Sequence, residues 1–147
     1  MHFNFNENIE GYYHNNKLHE FETGDELLTL WFRLLIKVIV TLENQSKYVA
    51  LKEIETFDSW LEFILQDYDN LKVSYIKNPY NSTSAIVTSK IENSIYPTWR
   101  DEVISFAEFK SKVKIRANEY LCELNKINSL LLNTEIISRL KNEIELI

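Results

Sequence analysis

The chain has 147 residues, a formal net charge of −6, and hydrophobic and aromatic contents of 45% and 13%. A chain of this length is one domain by default and buries about 70% of its unfolded surface, so it folds without disulfides or a structural metal. The acidic balance repels nucleic-acid phosphate and argues against a general DNA or RNA binder, while leaving open a basic protein partner.

Two residue counts narrow the classes further. The two glycines, Gly11 and Gly24, stand thirteen positions apart. A phosphate-cradling loop needs several glycines close together, so P-loop and dinucleotide fingerprints are excluded. The single cysteine, Cys122, can form neither an intrachain disulfide nor a CxxC pair, which fits a reducing compartment. The first residues, "MHFNFNENIEGYYHNN", have no basic start and no apolar run, so a secretory signal is not expected there. The expected location is the cytoplasm.

Residues 1–26 read as a partly irregular polar segment in which Phe3 and Phe5 alternate as in a short edge strand. "LLTLWFRLLIKVIVTL" follows from Leu27 to Leu42, sixteen residues of which twelve are strongly apolar. A membrane helix needs about 20 apolar residues, and a charge at the bilayer centre costs on the order of 3 kcal/mol. Arg33 and Lys37 therefore argue against spanning. Every even position from Leu28 to Leu42 is apolar and the odd positions are mixed, a period of two that, with the β-branched run from Ile36 to Thr41, predicts a long strand. "ENQS" at 43–46 then marks a turn.

The stripe Ile54, Phe57, Leu61, Ile64 and Leu65 has spacings of three and four and predicts a helix over 50–67. "LKVSYI" at 71–76 reads as a strand, "NPYN" at 78–81 as a turn, and "SAIVTSKI" at 84–91 as the hairpin partner of 71–76. "IYPTW" at 95–99 is extended and belongs at an edge, because Pro97 cannot donate to a ladder. Ser105-Phe-Ala-Glu108 matches a capping box, with Ile104 and Phe109 as the staple pair. The helix it opens carries Phe109, Val113, Ala117, Tyr120, Leu121 and Leu124 and runs to about residue 131. Thr134 caps a last helix bearing Ile136, Ile137, Leu140 and Ile144. The sum is a single α+β domain over 1–147: an antiparallel sheet of four or five strands, helices packed against it, and C-terminal helices.

Candidate sites are few. His14, His19, Glu20 and Glu22 match no regular ligand spacing, and HExxH is absent, so no metal is expected. Glu108-Phe-Lys110 with Asp101 has the acidic-x-lysine form used by magnesium nucleases, but Glu108 is better explained as the third helical residue of the capping box. Cys122 has no histidine near it in sequence to act as a base, and reads as inert. Lys110, Lys112, Lys114 and Arg116 fan around their helix as a solvated face. No catalytic residue and no cofactor site is expected. On the predicted helix 50–67, Glu55, Asp58 and Glu62 fall within about 60° of arc. Like charges so placed cost a few tenths of a kcal/mol per pair, roughly, and such a cost can mark a binding surface as well as a solvated one. Phe63 points nearly opposite Ile54, and is either covered by a second layer or an exposed anchor. Glu55, Asp58, Glu62 and Phe63 are the residues expected to bind a partner.

"WFRLLIKV" at 31–38, "FDSWLEFI" at 57–64 and "YPTWRDEVISFAEF" at 96–109 together resemble the layout of small cytoplasmic bacterial immunity proteins. The likeness is one of pattern and covers most of 27–125. It implies a non-enzymatic protein that neutralises a toxin domain through acidic surface residues, without assigning individual contacts. Two other readings stay open on sequence: a small enzyme or ligand-binding domain with a cleft beside the sheet, and an oligomeric structural subunit.

Overall fold

The computed structural model describes residues 3–5, 8–10, 24–54, 56–80 and 82–147. Near the start, β1 (Phe3–Phe5) and β2 (Asn8–Glu10) pair antiparallel as a separate two-stranded sheet. The elements that follow are α1 (Gly24–Asn44), β3 (Tyr48–Lys52), β4 (Ser59–Leu65), β5 (Asn70–Lys77), β6 (Ile86–Val87), β7 (Glu102–Ser105), α2 (Phe106–Ile127) and α3 (Glu135–Ile144), with a 3-10 turn at Ser129–Asn133. The main sheet has the order β6-β3-β4-β5-β7 and every pairing in it is antiparallel. The fold is α+β, with the last helices at the C-terminal end of the chain.

The segment 27–42 is a helix, not a strand. Phe32, Leu35, Ile36, Ile39 and Leu42 are all buried and follow spacings of three and four, the helical period. Val38 is buried as well, because α1 is covered on more than one side: β3, α2 and α3 all pack against it. A helix enclosed this way is apolar nearly all round, so the period-two alternation of its even positions carried no strand signal. Arg33 and Lys37 are four residues apart and share the outer face. Arg33 Nε and Nη2 donate to the Glu143 carboxylate on α3 at 2.8–3.1 Å, and Lys37 is exposed. Among the described residues no helix is long and apolar enough to cross a membrane.

The helix expected over 50–67 is replaced by β3, a connecting loop and β4. β4 is the central strand and is covered on both faces, so Ser59–Leu65 is apolar almost continuously and shows no alternation. Directly opposed residues in an antiparallel pair share a face, which assigns the two sides of the sheet. Val49, Leu51, Leu61, Phe63, Leu65, Leu71 and Val73 face α1 and α2 and join the main core. Ala50, Trp60 and Ile76 face the other way, into a smaller cluster completed by Ile91 and edged by Tyr48, Val87 and Tyr96. The strand expected at 71–76 is β5. The segment 84–91 is not its hairpin partner: β6 lies on the opposite edge of the sheet, with Ala50 opposite Val87. The edge beside β5 is taken instead by the chain that leads into β7.

The capped start of α2 is present and more elaborate than the sequence pattern. Ser105 Oγ accepts from the Glu108 amide at 3.1 Å. Asp69, on the β4–β5 turn, accepts at Oδ1 from Ser105 Oγ and from the Ala107 amide, and at its carbonyl from the Phe106 amide. Ile104 and Phe109 both pack against the core as the staple pair requires. Thr134 is the cap residue of α3, but its hydroxyl donates back to the Leu131 carbonyl instead of capping the helix.

Candidate functional site

Of the residues expected to bind a partner, Asp58, Glu62 and Phe63 do not share a surface. Glu55 lies outside the described residues. Asp58 is half-buried at the start of β4, where its carbonyl accepts from the Asn78 amide at 2.7 Å. Glu62 and Phe63 are both buried and, being adjacent in a strand, point to opposite faces of the sheet. Phe63 has no exposure and stacks obliquely on Phe109, with ring centroids 5.7 Å apart. It is a core residue covered by a second layer.

The other sequence candidates are engaged structurally. Lys110 pairs with Glu43 at 2.5 Å and Asp101 lies 3.4 Å from Arg100 and 3.9 Å from Lys72, so the nuclease-like trio is not gathered around a common point. Lys114 donates to the Ile147 carbonyl and Arg116 pairs with Glu119, so the basic run does fan out. Cys122 is exposed on α2. Among the described residues no group of three or more His, Cys, Asp or Glu side chains could hold a metal; His2, His14 and His19 lie outside those residues.

Two features were not legible in the sequence. The first is a rim at one end of the sheet. Phe57, on the loop between β3 and β4, is 92% exposed. The Asn78–Asp58 backbone bond brings the 78–80 turn beside that loop, and Tyr80 stacks against Trp60 at 6.0 Å while remaining partly exposed. Ile95, 68% exposed, is bridged to Lys77, itself opposite Ser59. Phe57, Tyr80 and Ile95 thus decorate one end of the molecule, with Asp58 among them.

The second is Glu62 itself, in the middle strand of the sheet, in the row Val87, Ala50, Glu62, Ser74. The residue is 2% exposed. Oε2 accepts from the Tyr96 hydroxyl at 3.4 Å, and Oε1 has no hydrogen-bond partner. The Tyr48 hydroxyl faces the same carboxylate and accepts from the Ile91 amide at 3.1 Å. Burial, and then the negative charge of Glu62, hold both phenols above their ordinary range; at Tyr48 the Ile91 hydrogen bond opposes this. A polar residue amid "SWLEFIL" gave no sequence sign of burial, because a glutamate reads as solvent-facing.

Away from these, Leu42, Leu65 and Phe106 floor an open groove of about 530 Å³ that Glu43, Asn44, Lys47, Tyr68 and Lys110 edge. The Lys110–Glu43 ion pair spans part of that edge. No family model, no curated protein and no solved structure matches the chain.

Proposed function

We propose that this chain is a non-enzymatic, cytoplasmic protein-binding module, and specifically an immunity factor that occludes a basic toxin domain. The observation that carries the reading is Phe57. An aromatic side chain at 92% exposure adds nothing to the core, yet it stands on a loop fixed at both ends by interior strands. Exposed aromatic anchors on rigid supports are the residues from which interface affinity is built. Tyr80 and Ile95 extend the apolar rim, and Asp58 with the net charge of −6 supplies steering toward a basic partner. The class of partner comes from the sequence resemblance to immunity proteins alone, of whose three segments 31–38 folds as a helix and 57–64 as loop and strand.

The test begins in cells of the source organism, with a photo-crosslinking amino acid in place of Phe57 and the captured protein identified by mass spectrometry. The purified partner is then titrated with wild type, Phe57→Asp and Asp58→Lys. A loss of at least about 2 kcal/mol for Phe57→Asp is expected of an interface anchor. Relief of the partner's toxicity on co-expression is the second expected result. Unchanged affinity in both variants sinks the rim assignment, and a harmless partner sinks the immunity assignment.

A further inference from the structure

β5 and the chain alongside it are out of step. From the Ile95–Lys77 bridge to the Glu102–Val73 pair, β5 advances four residues and its neighbour seven, so three residues are extra. The surplus forms an excursion that sends Tyr96 to the smaller cluster and Trp99 to the main core, with the Trp99 carbonyl accepting from the Tyr75 amide at 3.2 Å. Pro97 within it has no amide to give to the ladder. Asp101, at its end, has a φ of 55°, a left-handed conformation that costs energy for a residue with a Cβ, and its amide donates to Ser74 Oγ at 3.0 Å. Bulges of this kind re-aim side chains and are enriched beside functional sites. Here the excursion carries Tyr96 onto Glu62.

A buried carboxylate is tolerated when a cation or several donors meet it. Among the described residues Glu62 has no ion pair; the Tyr48 hydroxyl reaches toward its carboxylate, yet Oε1 has no hydrogen bond of ordinary length. The nearby cations are committed elsewhere. Lys52 lies over the Trp60 ring at 5.6 Å, Arg100 over the Tyr96 ring at 4.1 Å, and Arg100 and Lys72 share Asp101. Two aromatic rings on this face thus already hold cations against their π-surfaces, at its partly exposed margin. Among the described residues no cation faces Glu62 Oε1.

We propose that Glu62 is the anchor of a second site, one that takes a small organic cation, an alkylammonium or guanidinium group, when the Tyr96 side chain swings off it. Glu62 Oε1 receives the donor, and the Tyr48 and Tyr96 rings flank it. Displacing Tyr96 breaks its weak hydrogen bond to Glu62 and the Arg100 contact on its ring, and leaves the Tyr75–Trp99 and Ser74–Asp101 hydrogen bonds, the Lys77–Ile95 bridge and β7 in place. The site is separate from the Phe57 rim and stands whatever becomes of the partner reading, since Glu62 and Phe57 are probed by different variants.

The experiment is an NMR titration of the intact chain with methylguanidinium chloride and with n-butylammonium chloride, at matched ionic strength, with n-butanol as the neutral probe. Saturable shifts at the Glu62, Ser74 and Tyr96 amides are expected with the two cations and none with n-butanol. Glu62→Gln, isosteric and uncharged, weakens the apparent affinity at least tenfold. Tyr96→Phe keeps the carboxylate but removes the latch, so its midpoint shifts to lower cation concentration. Shifts that stay linear, or equal saturation in Glu62→Gln, overturn the proposal and leave Oε1 with a buried water at most. A Tyr96→Phe midpoint that is unchanged or raised overturns the displacement of Tyr96.

Discussion

Phe63 and Glu62 are neighbours in the chain and opposites in environment, because a strand sends successive side chains to opposite faces. Phe63 enters the main core between β4 and α2 with no exposure, whereas Phe57 six residues earlier is almost fully solvated. The two phenylalanines should separate cleanly in urea unfolding. Phe63→Ala removes a ring from a filled core and is expected to cost about 3–5 kcal/mol. Phe57→Ala removes no packing and should stay within about 0.5 kcal/mol of wild type. A large loss in Phe57→Ala would mean that the ring packs in solution and is no free anchor. The Arg33–Glu143 pair also belongs to this scale. Both side chains are roughly three-quarters buried, and the fork of the guanidinium engages the carboxylate through two nitrogens, which raises the pKa of Arg33. A double-mutant cycle with Arg33→Met and Glu143→Gln is expected to give a coupling of about 0.5–1 kcal/mol, reduced by salt. Zero coupling at low ionic strength would leave α3 held to α1 by apolar contacts alone.

Among the elements, α2 shows what local sequence can specify. Ser105, Glu108, Ile104 and Phe109 lie within one turn of each other in sequence, and the helix start they predict is where α2 begins. The part played by Asp69 was hidden because it comes from another turn, 36 residues away in sequence. Ser105→Ala should cost about 1 kcal/mol, as for an ordinary cap. Asp69→Ala removes the acceptor of both the Ser105 hydroxyl and the Ala107 amide and should cost more than Ser105→Ala in the same denaturation series; an equal or smaller cost would make Asp69 incidental to the cap. The elements misread from sequence fail for one shared reason. α1 and β4 are each covered on more than one side, so few polar positions mark their period; in α1 those that remain, Thr29, Arg33, Lys37 and Thr41, stand four apart as in a helix, a signal outweighed by the apolar even positions and the β-branched run. β6 was placed beside β5 because sequence neighbours usually pair, but the excursion and β7 occupy that edge. The rim around Phe57 was illegible for the same reason: only the crossing of the 78–80 turn to Asp58 brings Tyr80 and Ile95 to it.

At the scale of the whole molecule the sheet has two unlike faces. One is a continuous apolar core shared with α1 and α2; the other is a small cluster around a buried carboxylate and two phenols, closed by the chain between β6 and β7. That second face makes the stability of the protein sensitive to alkali. The pKa values of Tyr48 and Tyr96 are raised above 10.0, first by burial and then by the charge of Glu62; the Ile91 amide opposes this at Tyr48, and Arg100 opposes it at Tyr96 while Asp101 adds to it. The folded state therefore holds the phenolic protons more tightly than the unfolded chain. For a raised pKa the contribution is complete below the unfolded value, about pH 10, and is lost as pH rises through the folded values. The urea midpoint should be level up to about pH 10 and fall above it, as the unfolded chain sheds phenolic protons that the folded protein retains. Lysines titrate in the same range, so the comparison is with Tyr48→Phe/Tyr96→Phe. That variant has no phenolic proton here to lose, and its midpoint should fall less steeply between about pH 10 and 11.5 even though it starts lower for want of the Ile91 and Glu62 hydrogen bonds. Parallel curves for the two proteins would show that the phenols are solvated and that the excursion does not close over Glu62.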